Sequence, residues 1–119
     1  MNESAGPLLD QGLIDEIRKI EQATGQTQLF AGFVGKLEGF LAGFSADFSS
    51  RIARGDVAGA VRSAHTLKGT CRQLGAVALG DLFAEVERSA KAGDFAEAKR
   101  TFEAGASLIS ASLEALKKA

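Results

Sequence analysis

From Phe30 to Ile52 the apolar residues Phe30, Phe33, Leu37, Phe40, Phe44, Phe48 and Ile52 return every three or four positions. At about 100° per residue such steps gather on one side of an α-helix, whereas a strand, whose side chains alternate with period 2, cannot use them. No stretch of the chain sustains period-2 alternation, and the single proline stands near the start, at Pro7. The spacing therefore predicts an all-α protein whose longest helix runs from about Thr27 to Arg54, with these seven residues as its core stripe. Gly32, Gly35, Gly39 and Gly43 fall on another sector of that helix, where each costs roughly 1 kcal/mol of helix propensity relative to alanine. Close approach of another helix or a partner fits them, and so does simple tolerance on a solvated face.

The same period predicts four more helices. One spans about residues 10 to 23, capped by Asp10, carrying Leu13, Ile14, Ile17 and Ile20, and closed by Gly25. Gly55 and Asp56 then stop one helix and cap the next, which extends to about Leu74 with Val57, Val61, Ala64, Leu67 and Cys71 on its buried side. Gly75 ends it. A fourth helix, about Val77 to Ala92, presents Leu79, Leu82, Phe83 and Val86. After Gly93 and Asp94 a last one, about Phe95 to Lys117, repeats Phe95, Ala98, Phe102, Ala106, Ile109, Leu113 and Leu116. Long amphipathic helices joined by very short turns lie antiparallel to their neighbours. The expected architecture is an up-down antiparallel four-helix bundle with an additional short N-terminal helix. It forms one domain over residues 7–119 behind a flexible tail at residues 1–6.

Composition narrows the class of function. The 119 residues are enough for one core and too few for two. The longest apolar stretch, AGFVGKLEGFLAGF, is interrupted by Lys36 and Glu38, and the acidic start MNESAGPLLDQ lacks the basic and greasy regions of a signal peptide. A soluble, cytoplasmic protein away from membranes is expected. One cysteine, Cys71, forms no internal disulfide, and with one histidine it cannot make a usual structural zinc site, so no metal is expected. A formal net charge of −1 speaks against nucleic acid as a partner. The charge is nonetheless uneven. Between Arg51 and Arg72 stand five cations, Arg51, Arg54, Arg62, Lys68 and Arg72, against one acid, Asp56, a local excess of +4.

That basic segment holds the only histidine, in SAHTLKGTCRQLG. Relative to Ala64 at the centre of the buried stripe, His65 lies about 100° round the helix, at the edge of the stripe and partly exposed. Its helical face carries Val61, Lys68, Gly69 and Arg72. A neutral imidazole is a nucleophile near pH 7, and phosphoryl transfer needs mainly positioning and positive charge at the transferring oxygens. Lys68 and Arg72 bring charge, and Gly69 leaves room beside the ring. The motif offers no partner for an Asp–His–Ser relay, and Ser63 and Thr66 point elsewhere on the helix. Hydrolytic triads, P-loops and dinucleotide fingerprints are missing, which argues against a self-contained enzyme. On composition and spacing alone, a half-buried histidine on an amphipathic helix is the simpler reading.

The stretch AHTLKGTCRQLGAVAL, however, resembles the signature of the histidine-containing phosphotransfer (HPt) domain family, in which His is followed by Leu-Lys-Gly and, several residues later, by Leu-Gly. The similarity runs along nearly the whole chain, through LLDQGLIDEI, the cap after ARGD, LFAEVE and the second AGD turn. It implies a phosphorelay intermediate. His65 would accept a phosphoryl group from a sensor histidine kinase or its receiver domain and pass it to an aspartate of a response regulator receiver domain. Lys68 would be the charge partner, Gly69 the open space, and Val61, Arg62 and Arg72 the partner-binding surface. Arg72 departs from the small residues usual at its position, which bears on the receivers that can dock. The protein would bind no cofactor of its own, the Mg²⁺ belonging to the partner receiver, and would act as a monomer. The alternative is a helical interaction module that binds a receiver or kinase without carrying phosphate; the intact His-x-x-Lys-Gly disfavours it.

Overall fold

The computed structural model describes residues 7–119, so the expected tail at residues 1–6 lies outside the described residues. Among the described residues there are six helices and no strand: α1 Gln11–Thr24, α2 Leu29–Ala53, α3 Val57–Gln73, α4 Val77–Lys91, α5 Phe95–Ala104 and α6 Ala106–Lys118. Side-chain caps start three of them. Asp10 accepts from the Leu13 amide, Asp56 from Gly59 and Asp94 from Glu97, each satisfying a donor that the first helical turn leaves unpaired. Three-residue connections join α2 to α3, α3 to α4 and α4 to α5. In each, the amide after the glycine reaches back five residues, as in Asp56 to Arg51, Ala76 to Cys71 and Asp94 to Ser89.

Gly75 shows why that residue type is needed. Its φ of 84° suits a residue without a side chain, and a β-carbon there would stand 3.0 Å from both the Asp10 carbonyl oxygen and Ile14. The Gly75 carbonyl in turn accepts from the Asp10 amide at 2.7 Å, so the start of α1 is docked on the α3–α4 turn. At its other end α1 meets α2: Glu21 accepts from the Phe30 amide at 2.6 Å, and the Arg18 guanidinium lies 4.7 Å from the Phe30 ring centre.

α3 packs along α4, α4 along α5, and α2 against α3, with α2 also touching α1, α5 and α6. Phe44 is the hub of the core, with ring centres 5.4 Å from Phe48, 5.2 Å from Phe83 and 4.9 Å from Phe102. α2 is long and apolar enough to cross a membrane by length and composition; here it supplies Phe30, Val34, Leu37, Leu41, Phe44 and Phe48 to this core.

Three sequence expectations need correction. Phe33 and Phe40 are exposed, at 41% and 54%, and Val34 and Leu41 take their places in the core. The two sets are offset by a single residue on a helix that is apolar most of the way round, so periodicity alone does not choose between them, and the structure buries the smaller pair. Val57, expected on the buried side of α3, is 41% exposed in the first turn, where Gly59 and Ala60 face inward. The last helix is two. At Gly105 the amide bonds the Phe102 carbonyl, three residues back, and Leu82 packs into the space a side chain would fill, its nearest methyl 2.7 Å from the β-carbon position. A glycine under a leucine thus breaks the helix where heptad spacing alone runs on.

Candidate functional site

α3 carries His65 in mid-helix, four residues before Gly69. The side chain keeps 63% of its surface in solvent, in accord with a position at the edge of the buried stripe. The ring is nevertheless held. Its Nδ1 lies 3.0 Å from Oε2 of Glu87, which α4 brings in from across the helix interface. Glu87 is only 4% exposed. Burial opposes its charge, but hydrogen bonds from Lys68, His65 and Lys91 outweigh that cost and hold the carboxyl down at about 2, against an ordinary 4.5. A carboxylate ionised at neutral pH can only accept. In the neutral ring the proton is the one that Nδ1 donates to Glu87, and Nε2 keeps the free lone pair.

The α3 motif holds no relay partner for the ring, and the carboxylate that meets it, Glu87, comes from a different helix. A signal was available in the sequence. α4 buries Leu79, Phe83, Val86 and Ala90, and Glu87 stands four residues after Phe83 and three before Ala90, a charge inside the apolar stripe. A buried charge on such a stripe needs a partner. What the sequence does not say is which helix provides it.

Lys68 is placed one turn from His65, as the spacing required, and its Nζ lies 2.7 Å from Glu87 Oε1. Lys91 reaches the other oxygen, Oε2, at 3.2 Å. Glu87 thus gathers His65, Lys68 and Lys91, and Lys91 is a member that sequence reasoning missed. At Gly69 nothing lies within 4 Å of the β-carbon position, so the space beside the ring is open.

The remaining candidates lie around this centre and do not enter it. Arg72 crosses to α4, where its stem covers Gly80 and its guanidinium pairs with Asp81 at 3.3 Å. Val61 packs partly buried against the core. Arg62 is exposed and, with Gly39, Phe40, Gly43, Ser63 and Thr66 among its neighbours, lines a groove of about 390 Å³ between α2 and α3. Phe40 also borders a second hollow, with Ile17, Phe33, Lys36, Thr70 and Gln73. Gly39 and Gly43 of the α2 glycine sector line the α2–α3 groove, and outside the helix's own turns no atom lies within 4 Å of the β-carbon positions of Gly32, Gly35, Gly39 or Gly43. Cys71 is fully buried and burial pushes its thiol up to about 12, so it packs as a small apolar residue.

The described helices thus present one exposed imidazole held by a buried carboxylate and flanked by lysine and glycine. The chain belongs to the Hpt domain family, whose model matches residues 15–119. Membership implies histidine phosphotransfer in two-component signalling. No curated protein and no solved structure gives a significant match.

Proposed function

We propose that this protein is a phosphorelay intermediate in which His65 accepts a phosphoryl group from a sensor histidine kinase or its receiver domain and passes it to an aspartate of a response regulator. The observation that carries the reading is the contact between His65 Nδ1 and the ionised Glu87, which leaves Nε2 as the nucleophile on an exposed ring. The Nε2 lone pair attacks phosphorus, the N–P bond forms as the P–O bond of the aspartyl phosphate breaks, and the electron pair leaves with the aspartate oxygen. The Nδ1 proton stays in place throughout. Lys68 offsets charge on the phosphoryl oxygens, and Gly69 admits them. Mg²⁺ comes with the receiver, whose acidic cleft suits the +4 segment around His65.

The scaffold for this work is one domain over residues 7–119, an up-down antiparallel four-helix bundle of α2, α3, α4 and the α5–α6 pair with α1 added. The three-residue connections and the contact of α2 with both α3 and the α5–α6 pair support it. The receiver docks over the α2–α3 groove. Arg62 and Val61 lie before His65, and Arg72 lies at the far rim. Exposed Phe33 and Phe40 supply the apolar contact. The protein acts as a cytoplasmic monomer with no nucleic acid or membrane as partner.

The test is transfer of labelled phosphate from a panel of sensor kinases and phosphorylated receivers. Wild type should acquire acid-labile, alkali-stable phosphate. His65→Ala should acquire none while keeping its helical circular dichroism and melting temperature, because an exposed ring contributes little packing. Phosphate retained by His65→Ala would remove His65 from the role. A wild type that binds receivers but takes no phosphate from any of them would turn the reading to an interaction module.

A further inference from the structure

Glu87 holds more positive charge than one imidazole needs. Its Oε1 takes Lys68 at 2.7 Å, and its Oε2 takes both His65 at 3.0 Å and Lys91 at 3.2 Å. The two lysines are differently placed. Lys68 shares α3 with His65, one turn away, and its side chain is 23% exposed. Lys91 shares α4 with Glu87, one turn away, and its side chain is 64% exposed. Lys68 thus stands on the helix of His65 and Lys91 on the helix of the carboxylate, so only Lys68 lies one turn from the ring in sequence.

With a neutral ring, the group of His65, Glu87, Lys68 and Lys91 carries +1. A phosphoryl group on Nε2 brings about two negative charges at neutral pH, and because Nδ1 keeps its proton the ring becomes cationic, so the group falls from +1 to about 0. Lys68 then faces two anions, the phosphoryl oxygens and the carboxylate it already holds. A buried carboxylate stripped of its cation is strongly disfavoured, so Lys68 alone would be divided between them.

We propose that Lys91 is a positioning residue that keeps Glu87 compensated, so that Lys68 can leave Oε1 for the phosphoryl group when His65 is phosphorylated. The proposal rests on His65 being the phosphoacceptor. Lys68 exchanges one acceptor for another without transferring a proton, the Nδ1 proton remains on the ring, and Glu87 keeps Lys91 and His65 on Oε2. The N–P bond is made from the Nε2 lone pair, and the donor's bond to phosphorus breaks with its electrons going to the donor atom. No other reactant is required.

The experiment uses phosphoramidate, a small donor that needs no docked partner, with the rate of phosphohistidine formation read by ³¹P resonance and the lysine side-chain ammonium groups read by ¹H–¹⁵N resonance. In wild type, phosphorylation should shift the Lys68 ammonium signal and leave that of Lys91 in place. Lys91→Met should accept phosphate about tenfold more slowly, the scale of one charge-assisted hydrogen bond. Its unphosphorylated form should melt close to wild type, because Lys68 still covers Glu87. Lys91→Arg should recover the rate to within about twofold, since it restores the cation. Equal rates for Lys91→Met and wild type, a Lys91→Arg as slow as Lys91→Met, or an unmoved Lys68 signal in phosphorylated wild type would each overturn the proposal while leaving His65 as the acceptor. A wild type that takes phosphate neither from phosphoramidate nor from any kinase or receiver would overturn both.

Discussion

Glu87 holds the imidazole of His65 by its Nδ1 at 3.0 Å, and the same residue ties the site to the stability of the fold. Its folded-state carboxyl lies near 2 against an ordinary 4.5, because hydrogen bonds from Lys68, His65 and Lys91 outweigh the burial that opposes its charge. A group whose pKa is depressed on folding adds stability that is fully present above the unfolded value and is lost as pH falls through the folded one. The contribution of Glu87 should therefore fade between about pH 4.5 and 2. Urea unfolding across that range checks it: wild type should lose stability more steeply than Glu87→Gln, whose amide does not titrate. Parallel curves would mean that the carboxylate is no more stabilised folded than unfolded. At this scale the sequence was legible wherever site residues share one helix, since His65, Lys68 and Gly69 follow from 3.6-residue geometry. It was not legible across helices. Which of Glu85 and Glu87 meets His65 depends on the rotation of α4 against α3, and Arg72, assigned to the His65 face by spacing, is drawn toward α4 by Asp81 and the bare backbone at Gly80.

Among the elements, α3 has a glycine in mid-helix with open space at its β-carbon position, so tertiary packing does not demand it. Gly69→Leu should fold at least as well as wild type, gaining up to about 1 kcal/mol of helix propensity. It should transfer phosphate poorly, because the new side chain fills the space beside the imidazole. Thermal unfolding and transfer assays on one preparation check both halves, and an unchanged transfer rate would make the open space incidental. Gly75 and Gly105 are different, for their β-carbon positions fall against Ile14 and Leu82. Helix ends proved readable because caps and αL glycines are local in sequence. The break at Gly105 and the exposure of Phe33 and Phe40 were not, because both are decided by which neighbour comes close. On α2, periodicity narrows the core to one side but does not choose between residues one position apart when both are apolar.

The described residues extend over 46 × 36 × 18 Å, about two helices thick, so a long helix has one face on the core and another in solvent. A thin body of this kind leaves room for an outward surface on α2 beside the one on α3 that presents His65. Phe40, 54% exposed, borders both hollows of the α2–α3 side, with glycine backbone at Gly39 and Gly43 next to it and Arg62 across the groove. An exposed aromatic with bare backbone on one side and a cation on the other gives a partner apolar area, close approach and a charge to match. Aromatic anchors of this type dominate interface energies, and their loss is felt chiefly in complex lifetime. Phe40→Ala should therefore slow transfer between His65 and a receiver by about tenfold, the cost of truncating one modest anchor. Stability should change by no more than about 0.5 kcal/mol, as for other surface positions. Acceptance from phosphoramidate, which docks nowhere, should match wild type. Transfer kinetics with the two donors, measured side by side, separate docking from chemistry: an equal loss with both would place Phe40 in support of the imidazole, and no loss with the receiver would move the docking surface off α2.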